Sequence, residues 1–226
     1  MLRALFLSVG QLPDPPILRV FLKSLLLTLL IFALLGGGLW WIAEHLSAHY
    51  GADADTQELA GAVAVLGAIA LAWLIFRAVA ILVIDIFGDD VVIAVERKYY
   101  PDASASAKRV PFGRALAMGL GSAGRAILIN LILSPVYLIL LMTGIGTALL
   151  FFLVNGWLLG RDVMDMVAAR HMPAAAMRGW RGTTAGSRFV LGLAGTGLFV
   201  VPIVNLLAPV LVAAMATHVF HQRRKA

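Results

Sequence analysis

Two short segments carry residues whose types and spacing suit anion chemistry. They are Thr143-Gly144-Ile145-Gly146 and the run Val201-Pro202-Ile203-Val204-Asn205-Leu206-Leu207-Ala208-Pro209. Each interrupts an uncharged apolar stretch, so each is read as a reversal between two helices. In the first, Gly144 frees the backbone and Thr143 can cap the returning helix. In the second, Pro202 ends the incoming helix, Asn205 is the expected N-cap, and Pro209 falls at N4, where its missing N–H has no partner to lose. A returning half-helix offers free N–H groups and the positive end of its dipole, and both attract anions. Thr143, Gly144, Thr147 and Asn205 are therefore candidate anion contacts; helix capping alone is the competing use of the same residues.

Cations supply the second set of candidates. Arg77 is the one charge inside an expected span, where it costs about 2.5–3.5 kcal/mol on insertion scales. It would face an anion or pair with Asp85. Arg19 and Lys23 stand at the mouth of the first span and share a helix face; they could gather anions or simply set topology. Asn130 and Asn155 lie within an apolar stretch and are expected to bond across helices. Gly156 and Gly160 form a small-xxx-small face for close packing, within or between subunits. His45 and His49 are four residues apart beside Glu44 but lack a third ligand. His218 and His221, near the basic C-terminus, read as interfacial. There is no cysteine, and no Ser/His/Asp order, phosphate loop or carboxylate pair in the membrane. No catalytic residue, metal or cofactor is expected, so the chain does not read as an enzyme.

The elements that position these residues follow from composition and charge. The chain has 226 residues, 61% hydrophobic and 13% charged, against about 45–50% and 25% in soluble domains. The excess must face lipid. Basic residues flank the apolar runs, so the net charge of +6 reflects membrane topology rather than nucleic acid. The expected spans run over about 19–42 and 59–86. The acidic loop between them, with Glu44, Asp53, Asp55 and Glu58, lies outside, and both basic flanks lie in the cytoplasm. A cytoplasmic helix is predicted over 89–100, closed by Pro101, with a loop over Asp102–Val110. Met1–Leu12 reads as a retained interfacial helix rather than a signal peptide.

The stretches Ala126–Gly160 and Phe189–Gln222 have basic residues at both ends, so each enters and returns on one side. Two full crossings need about 40 residues plus a turn, and each stretch supplies about 35. Re-entrant hairpins over about 114–172 and 184–222 are preferred. The expected fold class is thus an all-α integral membrane protein, with two full transmembrane helices and two half-penetrating helical hairpins in a single membrane domain.

Three segments together resemble one family. Ala94-Val95-Glu96-Arg97 with Tyr99-Tyr100-Pro101 is similar to its AVERRxYP segment. Leu153-Val154-Asn155-Gly156-Trp157-Leu158-Leu159-Gly160-Arg161-Asp162, leading to Arg170-His171-Met172, resembles its VNGYLLGREYFE…RHM stretch. Val201-Pro202-Ile203-Val204-Asn205-Leu206-Leu207-Ala208-Pro209-Val210 resembles its VPxVNLLAPV element. On these motifs the chain is identified as a member of the bacterial CysZ sulfate-permease family, which shares a domain with the etoposide-induced 2.4 membrane proteins. The resemblance implies a homo-oligomeric sulfate importer of the bacterial inner membrane that supplies cysteine synthesis, with both termini cytoplasmic. It also implies two spans plus two half-penetrating hairpins. A sulfate-binding Gly-Leu-Arg element of the permeases corresponds here to Ile17-Leu18-Arg19, which keeps Leu18 and Arg19 and lacks the glycine. The expected function is permeation of sulfate or a similar oxyanion; the alternative is a non-transporting membrane scaffold or regulator on the same domain.

Overall fold

Proline punctuates this chain. It opens helices at Pro15 and Pro101 and stands immediately before them at Pro111 and Pro173, positions where its missing N–H costs nothing. The computed structural model describes residues 2–49, 88–201 and 204–225. Every regular element among them is an α-helix: α1 (Leu2–Gly10), α2 (Pro15–His49), α3 (88–99), α4 (Pro101–Ser106), α5 (Phe112–Leu141), α6 (Gly146–His171), α7 (Ala174–Thr183), α8 (Ala185–Val200) and α9 (Val204–Lys225). The expected second span, 59–86, lies outside the described residues, and Arg77 and Asp85 with it.

The chain divides into two units, residues 19–87 and residues 1–18 with 88–226. The described part of the first is the body of α2, which contains the expected span 19–42. Three helices among the described residues are long and apolar enough to cross a bilayer, over Pro15–Gly38, Gly113–Leu141 and Gly146–His171. The predicted cytoplasmic helix is α3. The predicted loop after it is partly helical: Pro101 fixes φ at the first position and Asp102 favours the positive end of the dipole, so α4 forms before the chain extends again.

In the second unit, α6 packs on α8, α5 and α9, α8 packs on α9, and α1 lies along α9. The core of this unit is Val92, Met164, Val167, Ala168, Met177, Leu191, Met215, Val219 and Phe220, with Ala4 from α1. Thus α1 buries one side against protein, with Ala4 and Ser8 inside, while Leu2 and Phe6 stay exposed. The core gathers the basic ends of α6, α8 and α9. The opposite ends are apolar and bare: Leu141, Met142, Ile145, Val200 and Val201 are all exposed, Met142 to 91%.

Closest packing occurs where glycines meet. Gly156 and Gly160 on α6 face Gly192 and Leu193 on α8, backbone against backbone. This resolves the small-residue face as a contact within the chain. Along α5, Pro135 removes the N–H that would reach the Leu131 carbonyl, and the Ser134 hydroxyl donates to that carbonyl instead at 2.8 Å. In hydrocarbon an orphaned carbonyl costs several kcal/mol, so this substitution matters.

Candidate functional site

Two polar centres are built by elements that the sequence separates widely. The first surrounds Glu96 of α3, which is fully buried. His171 Nε2 of α6 lies 2.6 Å from Glu96 Oε1, His221 Nε2 of α9 lies 3.2 Å from the same oxygen, and Arg170 Nη2 donates to Oε2 at 3.3 Å. Tyr100 stacks on His221 with ring centroids 4.2 Å apart, and its hydroxyl meets His218 Nδ1 at 2.8 Å. Gln11 closes the far side at 2.6 Å from His218 Nε2. His218 and His221 are therefore buried between helices and are not interfacial, because the core folds around the basic end of α9.

The Glu96, His171 and His221 ligand atoms lie within 4.8 Å of one another, a geometry that could hold a metal ion. The chemistry already present favours a hydrogen-bonded hub: one carboxylate oxygen takes both imidazoles and Arg170 holds the other. Burial alone would raise the Glu96 pKa. The hydrogen bonds from His171 and His221, with the charges of His171 and Arg170, outweigh burial and bring the carboxyl down to about 2. A depressed carboxyl contributes stability above its unfolded pKa of 4.5 that is lost as pH falls toward 2. Melting of the detergent-solubilised protein should therefore fall through that window. Glu96→Gln should be less stable at neutral pH and should show a flatter profile between pH 4.5 and 2.

The second centre lies where α5, α6, α7 and α8 meet. Asp162 of α6 accepts from Arg125 Nη2 at 2.8 Å and from the Ser122 hydroxyl, both on α5. One turn on, Asp165 accepts from Arg181 Nη2 of α7 and Arg188 Nη1 of α8, each at 2.8 Å. Arg188 Nη1 also donates to the Arg161 carbonyl at 3.1 Å, Arg188 Nε donates to Thr184 Oγ1 at 2.9 Å, and the guanidinium lies over the Trp180 ring. Arg161 sits over the Trp157 ring and within electrostatic reach of Arg125, Arg181 and both aspartates.

A third basic surface is a groove of about 430 Å³ lined by Ile93, Arg97, Pro101, Ser104, Arg109 and Arg170. Arg170 is committed there to Glu96, and Asp89 lies within electrostatic reach of Arg170 and Arg109.

The residues singled out from sequence fare unevenly. Leu18, Arg19 and Lys23 are exposed on α2. Thr143 and Gly144 form the α5–α6 reversal as expected, Gly144 at φ 78. The Thr143 hydroxyl donates to the Leu140 carbonyl at 2.6 Å and accepts from Gly146 N–H at 2.8 Å. It is engaged as a cap, and Thr147 donates to the Tyr137 carbonyl at 2.7 Å. Asn205 lies just inside α9 rather than at its cap, with its N–H bonded to the Val201 carbonyl at 2.9 Å; Pro209 is inside α9, and Pro202 lies outside the described residues. Among the described residues, Asn130 and Asn155 do not bond across helices. Each donates to the carbonyl four residues back, of Ala126 and Phe151, the nearest acceptor on its own helix. Among the described residues, Thr143 and Asn205 are not joined to one another by any hydrogen bond.

These features define a helical membrane protein with two hairpins and a cationic cluster at their bases. The family model for sulfate transporter CysZ/etoposide-induced protein 2.4 matches residues 4–209, and the chain belongs to that family. No curated protein and no solved structure matches it.

Proposed function

We propose that the protein is an inner-membrane permease for sulfate or a similar oxyanion, feeding sulfur assimilation and cysteine synthesis, with both termini in the cytoplasm. Family membership over nearly the whole chain carries this reading. Its physical support is the cationic cluster at the bases of the hairpins, the place where an anion would cross between water and hydrocarbon. Assembly into a homo-oligomer accords with α5, whose apolar window buries none of its residues within the chain.

Both hairpins are taken as re-entrant. The uncharged parts of the first, Ala126–Leu141 and Gly146–Gly160, are each about 23 Å long at 1.5 Å per residue, short of the roughly 30 Å core. Both reversals are apolar, with Met142 and Ile145 in one and Val200 and Val201 in the other, which suits hydrocarbon better than water. The chain has no cysteine, so single-cysteine labelling starts from a clean background. A cysteine at Ile145 should resist an impermeant maleimide applied from outside, whereas one at Ser47 should react. Rapid external labelling of Ile145→Cys would show a full crossing.

Separating the permease from a scaffold requires substitutions that spare assembly. Arg19→Gln and Asn205→Ala should each lower sulfate uptake several-fold while the protein still inserts and elutes as one species. Uptake unchanged in both variants would remove Arg19 and Asn205 from the permeation path, and no uptake even by the wild type would favour the scaffold or regulatory reading.

A further inference from the structure

The four-arginine centre has more positive charge than its own acids balance. Among the described residues, Arg125, Arg161, Arg181 and Arg188 face only Asp162 and Asp165, which leaves two positive charges over. Arg125, Arg161 and Arg188 bracket the apolar stretches, standing immediately before or after the uncharged legs of the two hairpins. The local field is repulsive: Arg161 is opposed by Arg125 and Arg181, and Arg188 by Arg181 and Arg161. Surplus like charge in a partly desolvated place is costly unless a counter-charge occupies it.

The donor inventory points the same way. Arg125 Nε, Arg161 Nε and Arg188 Nη2 are each buried and have no hydrogen-bond partner, and Arg188 as a whole is only 4% exposed. Buried donors are nearly always satisfied. Three guanidinium donors are thus left over in one cluster, together with two uncompensated charges. Guanidinium is also the group that binds oxyanions through paired, parallel N–H bonds.

We infer that Arg125, Arg161, Arg181 and Arg188, restrained by Asp162 and Asp165, bind a tetrahedral dianion at the bases of the hairpins. A free sulfate-type ion carries the two negative charges that the cluster lacks and enough oxygens for all three vacant donors. A monovalent halide supplies half the charge and no forked acceptor. The aspartates hold Arg125, Arg181 and Arg188 in place, and Arg161, the arginine with no carboxylate partner, is the one left to engage the ligand. This deepens the permease reading by naming its anion site, yet binding at the cluster is measured without transport.

The test is thermal stabilisation of the purified full chain by sodium sulfate, against sodium chloride at matched ionic strength. Sulfate should raise the melting temperature saturably and chloride should not. Arg161→Gln breaks no ion pair among the described residues and removes one surplus charge, so its melting temperature without sulfate should not fall. Its sulfate midpoint should rise about tenfold to a hundredfold, the worth of one charge-assisted hydrogen bond. Arg161→Lys, which keeps the charge and loses the fork, should fall between. If Arg161→Gln proves unstable, Arg125→Lys, which preserves the pairing charge at Asp162, should still raise the midpoint. Short-chain phosphatidate offers the same oxyanion on a lipid. Stabilisation by it with none by sulfate would overturn the free-ion site, as would a sulfate midpoint unchanged in folded Arg161→Gln. Sulfate binding by a wild-type protein that fails to transport would leave the site standing and remove the permease.

Discussion

Gly192→Leu should abolish recovery of folded protein. A side chain at this position would run into the carbonyl of Gly156 and the backbone of Gly160, and one at Gly160 would meet the Arg188 carbonyl. These obstacles are backbone atoms of a facing helix, so no rotamer change relieves them. Overpacking a core usually costs about 1–3 kcal/mol where side chains can shift, and here α6 and α8 would have to separate. In a bilayer, helices are held largely by such close packing, since lipid is as apolar as leucine. The separation would also pull Arg188 away from Asp165 and from the Arg161 carbonyl. The expected outcome is aggregated or degraded protein by size exclusion, with Gly160→Leu equally damaging. Gly179→Leu is the control: a Cβ there meets nothing within 4 Å, and the variant should elute as wild type.

Glu96→Ala is expected to be nearly as severe. It leaves Arg170, 6% exposed, without its carboxylate and strips both His171 and His221 of a shared acceptor. Breaking a buried ion pair from one side typically costs about 3–5 kcal/mol, because the remaining charge is stranded. That is a large fraction of the stability of a domain this size. Glu96 ties α3 to α6 and α9, so the loss should appear as early detachment of α3, detectable by proteolysis near Pro101. Pairing Glu96→Met with Arg170→Met should recover part of the loss by removing the stranded charge. A double variant no better than Glu96→Ala alone would place the stabilisation in the imidazole contacts.

Much of the fold was legible because membrane insertion writes itself in charge spacing. The gaps between Arg125 and Arg161 and between Arg188 and Arg223 mark the apolar legs of α5 with α6 and of α8 with α9. The Thr143-Gly144 reversal follows from residue types alone. Pairings across long separations were not legible. Glu96 meets His171 and His221 at 75 and 125 residues' distance, and no local pattern marks a histidine at a basic terminus as buried. Arg161 and Asp162 lie inside a family-like motif, and Arg125 and Arg188 are the basic residues just before the two apolar stretches, a pattern that marks topology alone. The uneven count of arginines over aspartates at the hairpin bases was the available signal. Asn130 and Asn155 misled in the opposite direction: an amide in an apolar stretch suggests a partner helix, but here each amide bonds the carbonyl one turn back.

A permease of this family must carry an oxyanion across a membrane. Uptake of labelled sulfate into proteoliposomes of the purified protein tests it most directly, with selenate, molybdate and phosphate as competitors. Saturable uptake, blocked best by the closest sulfate analogues, is the predicted result. Uptake no greater than in protein-free vesicles, from protein shown to be folded and inserted, would contradict it and leave a membrane scaffold on the same domain.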